Sequence, residues 1–205
     1  MLSPRIRRLK LDHDQLVRKF AGWPLIQITG TAGMPPEVYR FVYKINGLFV
    51  SPAGEIQERQ EHHLEVNLSL GYPRRAPQCR MLTPVFHPNF DDSTVCIGDF
   101  WAASEGLDDL IIRIGRMIAY QEYNTKSPLN GLAAKWAEQH AHVFPVEPRD
   151  IAPPLEKLAG HPEQNIAPLR SGPEEPAAAV GPTPATSDST QSSSLDPWAQ
   201  RISIE

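Results

Sequence analysis

Cysteine is scarce: the 205 residues hold two, Cys79 and Cys96. Two thiols do not make a disulfide framework, so an apolar core must hold the fold, and a reducing, cytoplasmic setting is expected. His62, His63, Cys79, His87 and Cys96 are ligand types, but they lack paired short spacing such as Cys-x-x-Cys, so no metal is expected. Neither charge dominates. Lys and Arg number 20 against 24 Asp and Glu, a net charge of −4, which lacks the basic footprint of a nucleic-acid binder. No apolar run has the length of a membrane span, and the basic start has no apolar signal-peptide core, so no membrane association is expected. A phosphate-cradling glycine loop, an internal repeat and a Ser-His-Asp pattern are also missing.

Proline, by contrast, is abundant and unevenly placed. More than half of the 21 prolines lie from Pro145 onward, and residues 171–194 are rich in Ser, Gly, Pro, Ala and Thr. Such a segment buries too little apolar surface to offset its ordering entropy. Residues 145–205 therefore read as a Pro-rich, disordered tail behind one domain over 1–144. The last stretch breaks that composition with Trp198, Ile202 and Ile204. It is either a short docking motif on a tether or a frayed terminus.

Within 1–144 the hydrophobic period changes along the chain. Ile6, Leu9, Leu16, Val17 and Phe20 recur at helical spacing over 3–21, with a start signal at Ser3-Pro4 and a stop at Gly22 and Pro24. Arg5, Arg7, Arg8 and Lys10 then read as a solvated basic face. Four strand-like runs follow, over 25–31, 38–46, 63–70 and 78–83. Tyr39, Phe41, Tyr43 and Ile45 share one face, as do Leu64, Val66, Leu68 and Leu70. This patterning predicts an antiparallel meander with one buried face, Cys79 in the core, and His62 and His63 toward solvent. Leu107, Leu110, Ile111, Ile114, Met117 and Ile118 predict a strong helix. A second helix is predicted over 130–142, with Leu132, Ala133, Trp136 and Ala137 inward and Ser127 ahead of Pro128 as its N-cap.

The stretch from Tyr72 to Trp101 carries the chemistry. Pro84 and Pro88 stiffen the approach to Asn89, and the turn-forming Asp91-Asp92-Ser93-Thr94 leads back to Cys96. A thiolate can hold an acyl group as a thioester, and an amide N–H can stabilise the oxyanion formed when that thioester is attacked. The plainer readings are a buried core cysteine and an asparagine bonding its own turn. A Cys-His hydrolase would need an imidazole beside Cys96, and His87 is nearest in sequence.

The ordered set Tyr72-Pro73, Pro77, Thr83, His87-Pro88-Asn89, Cys96 and Trp101, then the Leu107–Ile118 run and Ser127-Pro128-Leu129-Asn130, resembles the ubiquitin-conjugating enzymes over about residues 1–144. The resemblance implies an α+β, UBC-like fold: an N-terminal helix, a four-stranded antiparallel meander, a cysteine-bearing loop and C-terminal helices. It implies that Cys96 accepts a ubiquitin-like protein from an activating enzyme and passes it to an amine, usually a lysine, of a target protein. Asn89 would stabilise the oxyanion or hold the loop, with His87, Pro88 and Tyr72 in support. Asn124 and Ser127 would lie at the mouth of the site, besides their local roles in a turn and a cap. The first helix, with Arg5, Arg7, Arg8 and Lys10, would dock the activating enzyme. No cofactor is implied, because ATP is used by the activating enzyme. The rival reading is a UBC-fold module that only binds a ubiquitin-like protein. There are departures. The Cys96–Trp101 link is short, Arg74 follows Tyr-Pro where an apolar residue is usual, and Ala102-Ala103-Ser104 replaces Ser-Pro-Ala, which argues against a RING-type ligase. The segment 47–61 also departs from the pattern. The chain thus resembles divergent members found in bacterial operons beside a ubiquitin-like protein and an activating enzyme, some linked to antiviral defence against phage.

Overall fold

The computed structural model describes residues 2–92, 94–97 and 101–154. Helix α1 (Pro4–Phe20) begins as its residues require: the Ser3 hydroxyl accepts the Ile6 N–H at 3.2 Å, and Pro4 occupies the first turn. Leu9, Leu16 and Phe20 form its buried stripe, and Asp12 is buried with them.

Among the described residues six strands follow: β1 (Ile26–Ala32), β2 (Val38–Tyr43), β3 (Gly47–Val50), β4 (Ile56–Arg59), β5 (His62–Asn67) and β6 (Gln78–Met81). The order β1-β2-β5-β6 makes the expected four-stranded antiparallel sheet. Its inner face carries Ile28, Tyr39, Phe41, Tyr43, Leu64, Val66 and Cys79, and α2 (Leu107–Ile118) packs into the same core. Burial of each large apolar side chain contributes about 1.5–3 kcal/mol.

The structure also corrects two sequence readings and adds a hairpin. His62 shares parity with Leu64 and Val66, so it points inward and is fully buried rather than solvent-facing. Its Nε2 lies 3.0 Å from the Arg59 carbonyl oxygen, and burial lowers its pKa to about 4. Gly47 makes room for it, since a Cβ there would lie 2.7 Å from the ring. Leu70 falls beyond the end of β5, where parity no longer applies, and is 87% exposed. The segment 47–61 supplies an inserted hairpin, β3–β4. Leu48 and Ile56 of that hairpin join Phe86, Tyr120, Trp136 and Val146 in a second apolar cluster.

Helix α3 (Gly131–Gln139) starts later than the Ser127-Pro128 signal suggests. Asn130 is its N-cap, with Oδ1 accepting the Ala133 N–H at 3.0 Å, so Ser127 is not the cap. Leu132 is exposed, while Ala133, Trp136 and Ala137 face inward. A 3-10 turn (Ala141–Val143) follows.

The chain stays packed on the domain beyond 144. Val146 donates its N–H to the Ala119 carbonyl at 3.1 Å, and the Ile151 carbonyl accepts the Trp23 Nε1–H at 3.0 Å. Ile151 is fully buried, and a Cβ on Gly115 would come within 2.6 Å of it, so the glycine permits this close approach. The first residues of the expected tail, 145–154, are therefore domain. The rest of that tail, with Trp198 and Ile202, lies outside the described residues.

Candidate active site

A short turn returns the chain from Asn89 to Cys96. The Phe90 N–H bonds the His87 carbonyl at 3.2 Å, the Asp91 carboxylate caps the Thr94 N–H at 2.6 Å, and Phe90 faces Val95 in an isolated bridge. The Cys96 N–H then donates to the Asn89 carbonyl at 2.8 Å, which makes the two residues backbone neighbours. Val95 is buried and bonds the Cys79 carbonyl of β6 at 3.1 Å, anchoring the turn to the sheet edge. Cys96 itself is a partly exposed free thiol.

Each residue of His87-Pro88-Asn89 reaches across to the segment between α2 and α3. The His87 Nε2–H donates to the Glu122 carbonyl at 3.2 Å while Nδ1 accepts the Asn89 N–H at 3.1 Å. The Pro88 carbonyl accepts the N–H groups of Leu129 at 2.8 Å and Asn130 at 3.0 Å. The Asn89 side chain grips the Asn124 backbone at both ends: Oδ1 accepts its N–H at 2.9 Å, and Nδ2 donates to its carbonyl at 3.5 Å. The Asn124 side chain in turn accepts the Lys126 N–H at 2.9 Å, which is the turn role expected of it.

His87 is fully buried, and burial lowers its pKa to about 3. With one nitrogen donating and the other accepting, the neutral ring has no lone pair left for a thiol. This geometry is a brace and not a Cys-His pair. Asn89 braces too, although its amide has a second N–H beyond the one given to Asn124. Ser127 is exposed on the bridging segment.

Tyr72 is placed differently from the expectation that it supports Asn89. Its hydroxyl donates to Asp12 at 2.6 Å and accepts from the Arg8 guanidinium at 3.2 Å. Its ring lies 6.0 Å from that of Trp101, whose Nε1–H bonds the Pro73 carbonyl at 2.7 Å. Arg8 also bonds Asp12 at 2.8 Å and the carbonyls of Ala103 and Glu105, pinning the loop behind the site to α1. Burial raises the Asp12 pKa against the bonds from Tyr72 and Arg8 that favour the carboxylate. Arg5 is likewise committed inside the domain, to Glu37 at 2.7 Å and to the Leu68 and Ser69 carbonyls. Of the four basic residues assigned to docking, only Arg7 and Lys10 are exposed.

Sequence reasoning missed Asp12 and Arg113. Asp12 interrupts the apolar stripe four residues after Arg8, and an acid at a core position with a base one turn earlier was the available signal. Arg113 donates to the Ile97 carbonyl at 2.6 Å, next to Cys96, and pairs with Glu105 at 3.4 Å. No local pattern marks it. The second thiol, Cys79, is core as expected, and burial pushes its pKa up to about 12. Among the described residues no His, Cys, Asp or Glu cluster could hold a metal ion, and no helix is long and apolar enough to cross a membrane.

Comparison with known proteins places this arrangement. The structure of S. cerevisiae Ubc12 matches with a TM-score of 0.50 and 23% identity, covering 68% of this chain and 74% of that one, which is a likeness of fold. The sequence family described as ubiquitin-conjugating enzyme matches residues 31–149. That match takes in β2 to β6, the His87-Pro88-Asn89 brace, Cys96 and both later helices, and it covers more than half of the chain, so this chain belongs to the ubiquitin-conjugating enzyme family.

Proposed function

We propose that the protein carries a ubiquitin-like modifier on Cys96 and transfers it to an amine of a target protein. The observation that carries this reading is the partly exposed Cys96 thiol, held by a backbone bond to Asn89 on a loop laced to the 122–130 segment. In loading, the Cys96 thiolate attacks the thioester carbonyl joining the modifier to a cysteine of the activating enzyme. A new thioester forms on Cys96, and the activating enzyme's thiol leaves. In discharge, a lysine amine attacks that carbonyl, an amide forms, the amine loses a proton and the Cys96 sulfur leaves. Asn89 holds the Asn124 backbone, and its second N–H is the donor for the oxyanion of discharge. His87 and Pro88 set the loop, while Asn124 and Ser127 border the mouth. Tyr72 acts at a distance, through Arg8 and the 101–105 loop. Arg7 and Lys10, the exposed pair, steer the activating enzyme. A free Cys96 thiol requires a reducing compartment, so a cytoplasmic setting belongs to this reading.

The test is incubation with a ubiquitin-like protein, its activating enzyme and ATP, read on a non-reducing gel. A thiol-labile adduct is expected on the wild type and on Cys79→Ala. The reading fails if Cys96 proves dispensable for that adduct. A modifier that binds without ever becoming attached would point to the binding module instead.

A further inference from the structure

Beside the turn that leads to Cys96 lies a groove of about 390 Å³, open to solvent between the inserted β3–β4 hairpin and the end of β6. Its accessible apolar lining comes from Val50, Leu82, Pro84 and Val85, with Val50 and Leu82 each about 40% exposed. Its rim carries two exposed carboxylates, Asp91 and Asp92, both in the turn that leads to Cys96. Among the described residues that line it there are two carboxylates and neither Lys nor Arg. A second cavity near the turn differs: Glu65 and Arg80 both line it and pair with each other at 3.2 Å.

We infer that this groove seats the target's acceptor segment: an extended stretch with an apolar side chain for the Leu82 floor and a basic side chain beside the acceptor lysine. The inference rests on the reading of Cys96 as the thioester carrier and adds the class of target to it. Charge complementarity selects the occupant. The nucleophile arrives as a cationic lysine, and a carboxylate rim with apolar walls concentrates cations where the low-dielectric lining strengthens the field. Position agrees as well. Asp92 precedes Cys96 by four residues, at most about 13 Å of extended chain at 3.3 Å per residue, so a segment seated here lies within a few residues of the thiol. The hairpin supplies Val50 as one wall, so the 47–61 segment that departs from the family pattern also lines the groove.

The experiment uses two dye-labelled peptides, each with a central Leu-Lys pair, one flanked by two arginines and the other by two glutamates. Fluorescence anisotropy with the full unloaded chain reads binding, and single-turnover discharge of the loaded chain reads transfer, normalised to discharge onto free lysine. The basic peptide should bind at least tenfold tighter than the acidic one at low salt and should be the faster acceptor. Asp92→Lys should invert the ratio; Asp91 is left intact because it caps the turn. Equal binding of the two peptides, or an unchanged ratio in Asp92→Lys, overturns the inference. So does tighter binding of a synthetic peptide of residues 195–204, which would make the chain's own end the occupant. A chain that never loads sinks the transfer reading, while the anisotropy ratio still decides what the groove holds.

Discussion

Two parts of the Tyr72–Trp101 stretch are held by different physics. At its start, Tyr72 sits in a charged, largely buried knot with Asp12 and Arg8 that ties α1 to the loop after Trp101. Beyond the middle, His87, Pro88 and Asn89 sit in a neutral lattice in which side chains and one carbonyl satisfy backbone groups of the 122–130 segment. A buried charged knot is sensitive to loss of a partner, because the survivor is left uncompensated. A neutral lattice costs less to break and fixes how the segments it joins lie against each other. The knot therefore answers for stability and the lattice for the position of Cys96. Variants in each part should separate along that line.

The largest effect is expected at the lattice's own product, the thiol. Cys96→Ser should give no thiol-labile adduct, since a hydroxyl without a base is a far weaker nucleophile. The melting temperature should stay near that of the wild type because the site is partly exposed. A large fall in melting temperature would mean that Cys96 is structural and would erase the contrast.

Asn89→Ala comes next. Loss of one oxyanion donor typically slows the step by about 10²–10³, and here the grip on Asn124 goes as well. Discharge to lysine should fall by that factor, and loading by less, since thiol exchange passes between groups of similar reactivity. Asn89→Asp keeps an acceptor for the Asn124 N–H and loses the donor. If it discharges as fast as the wild type, the brace is the whole role.

At the knot, Arg8→Ala leaves the Asp12 carboxylate buried without its cation and should cost about 3–5 kcal/mol by denaturant unfolding. Reversing the exposed pair, Arg7→Glu with Lys10→Glu, should change stability by less than about 0.5 kcal/mol. That double variant should instead slow loading at low salt. Equal stability of the two variants would show that the knot is not what holds α1.

The smallest effect is on pH dependence. His62 and His87 have folded pKa values lowered to about 4 and about 3, below the ordinary 6.5. The folded state thus binds fewer protons than the unfolded state between those values. Their contribution is fully present above about pH 6.5 and is lost as pH falls toward 3–4, at about 1 kcal/mol per histidine per pH unit below 6.5. Melts between pH 7.5 and 5.5 should show the slope, and His62→Gln should flatten it. An unchanged slope would place the acid sensitivity elsewhere.

Periodicity carried much of this architecture, because burial of one face leaves a mark at fixed spacing. The α1 stripe, the inward residues of β2, the α2 run from Leu107 to Ile118 and the core place of Cys79 were all legible that way. The order of Pro88, Asn89, the acidic turn and Cys96 also made the site's candidate residues readable, since a two-proline approach and a short polar turn constrain the chain locally. Long-range partners leave no such mark. Tyr72 finds Asp12 across 60 residues, and Asn89 finds Asn124 across 35. Nothing in either local sequence names the other, because the hydrogen bond is chosen by which elements pack together. Packing likewise decided that Arg5 and Arg8 turn inward while Arg7 and Lys10 stay out, that Asn130 rather than Ser127 caps α3, and that Ile151 closes the core. The sequence by itself determined which residues could be buried and which could react. Only the tertiary structure decided which polar groups meet, since a buried donor must be satisfied by whatever acceptor the fold brings within about 3 Å.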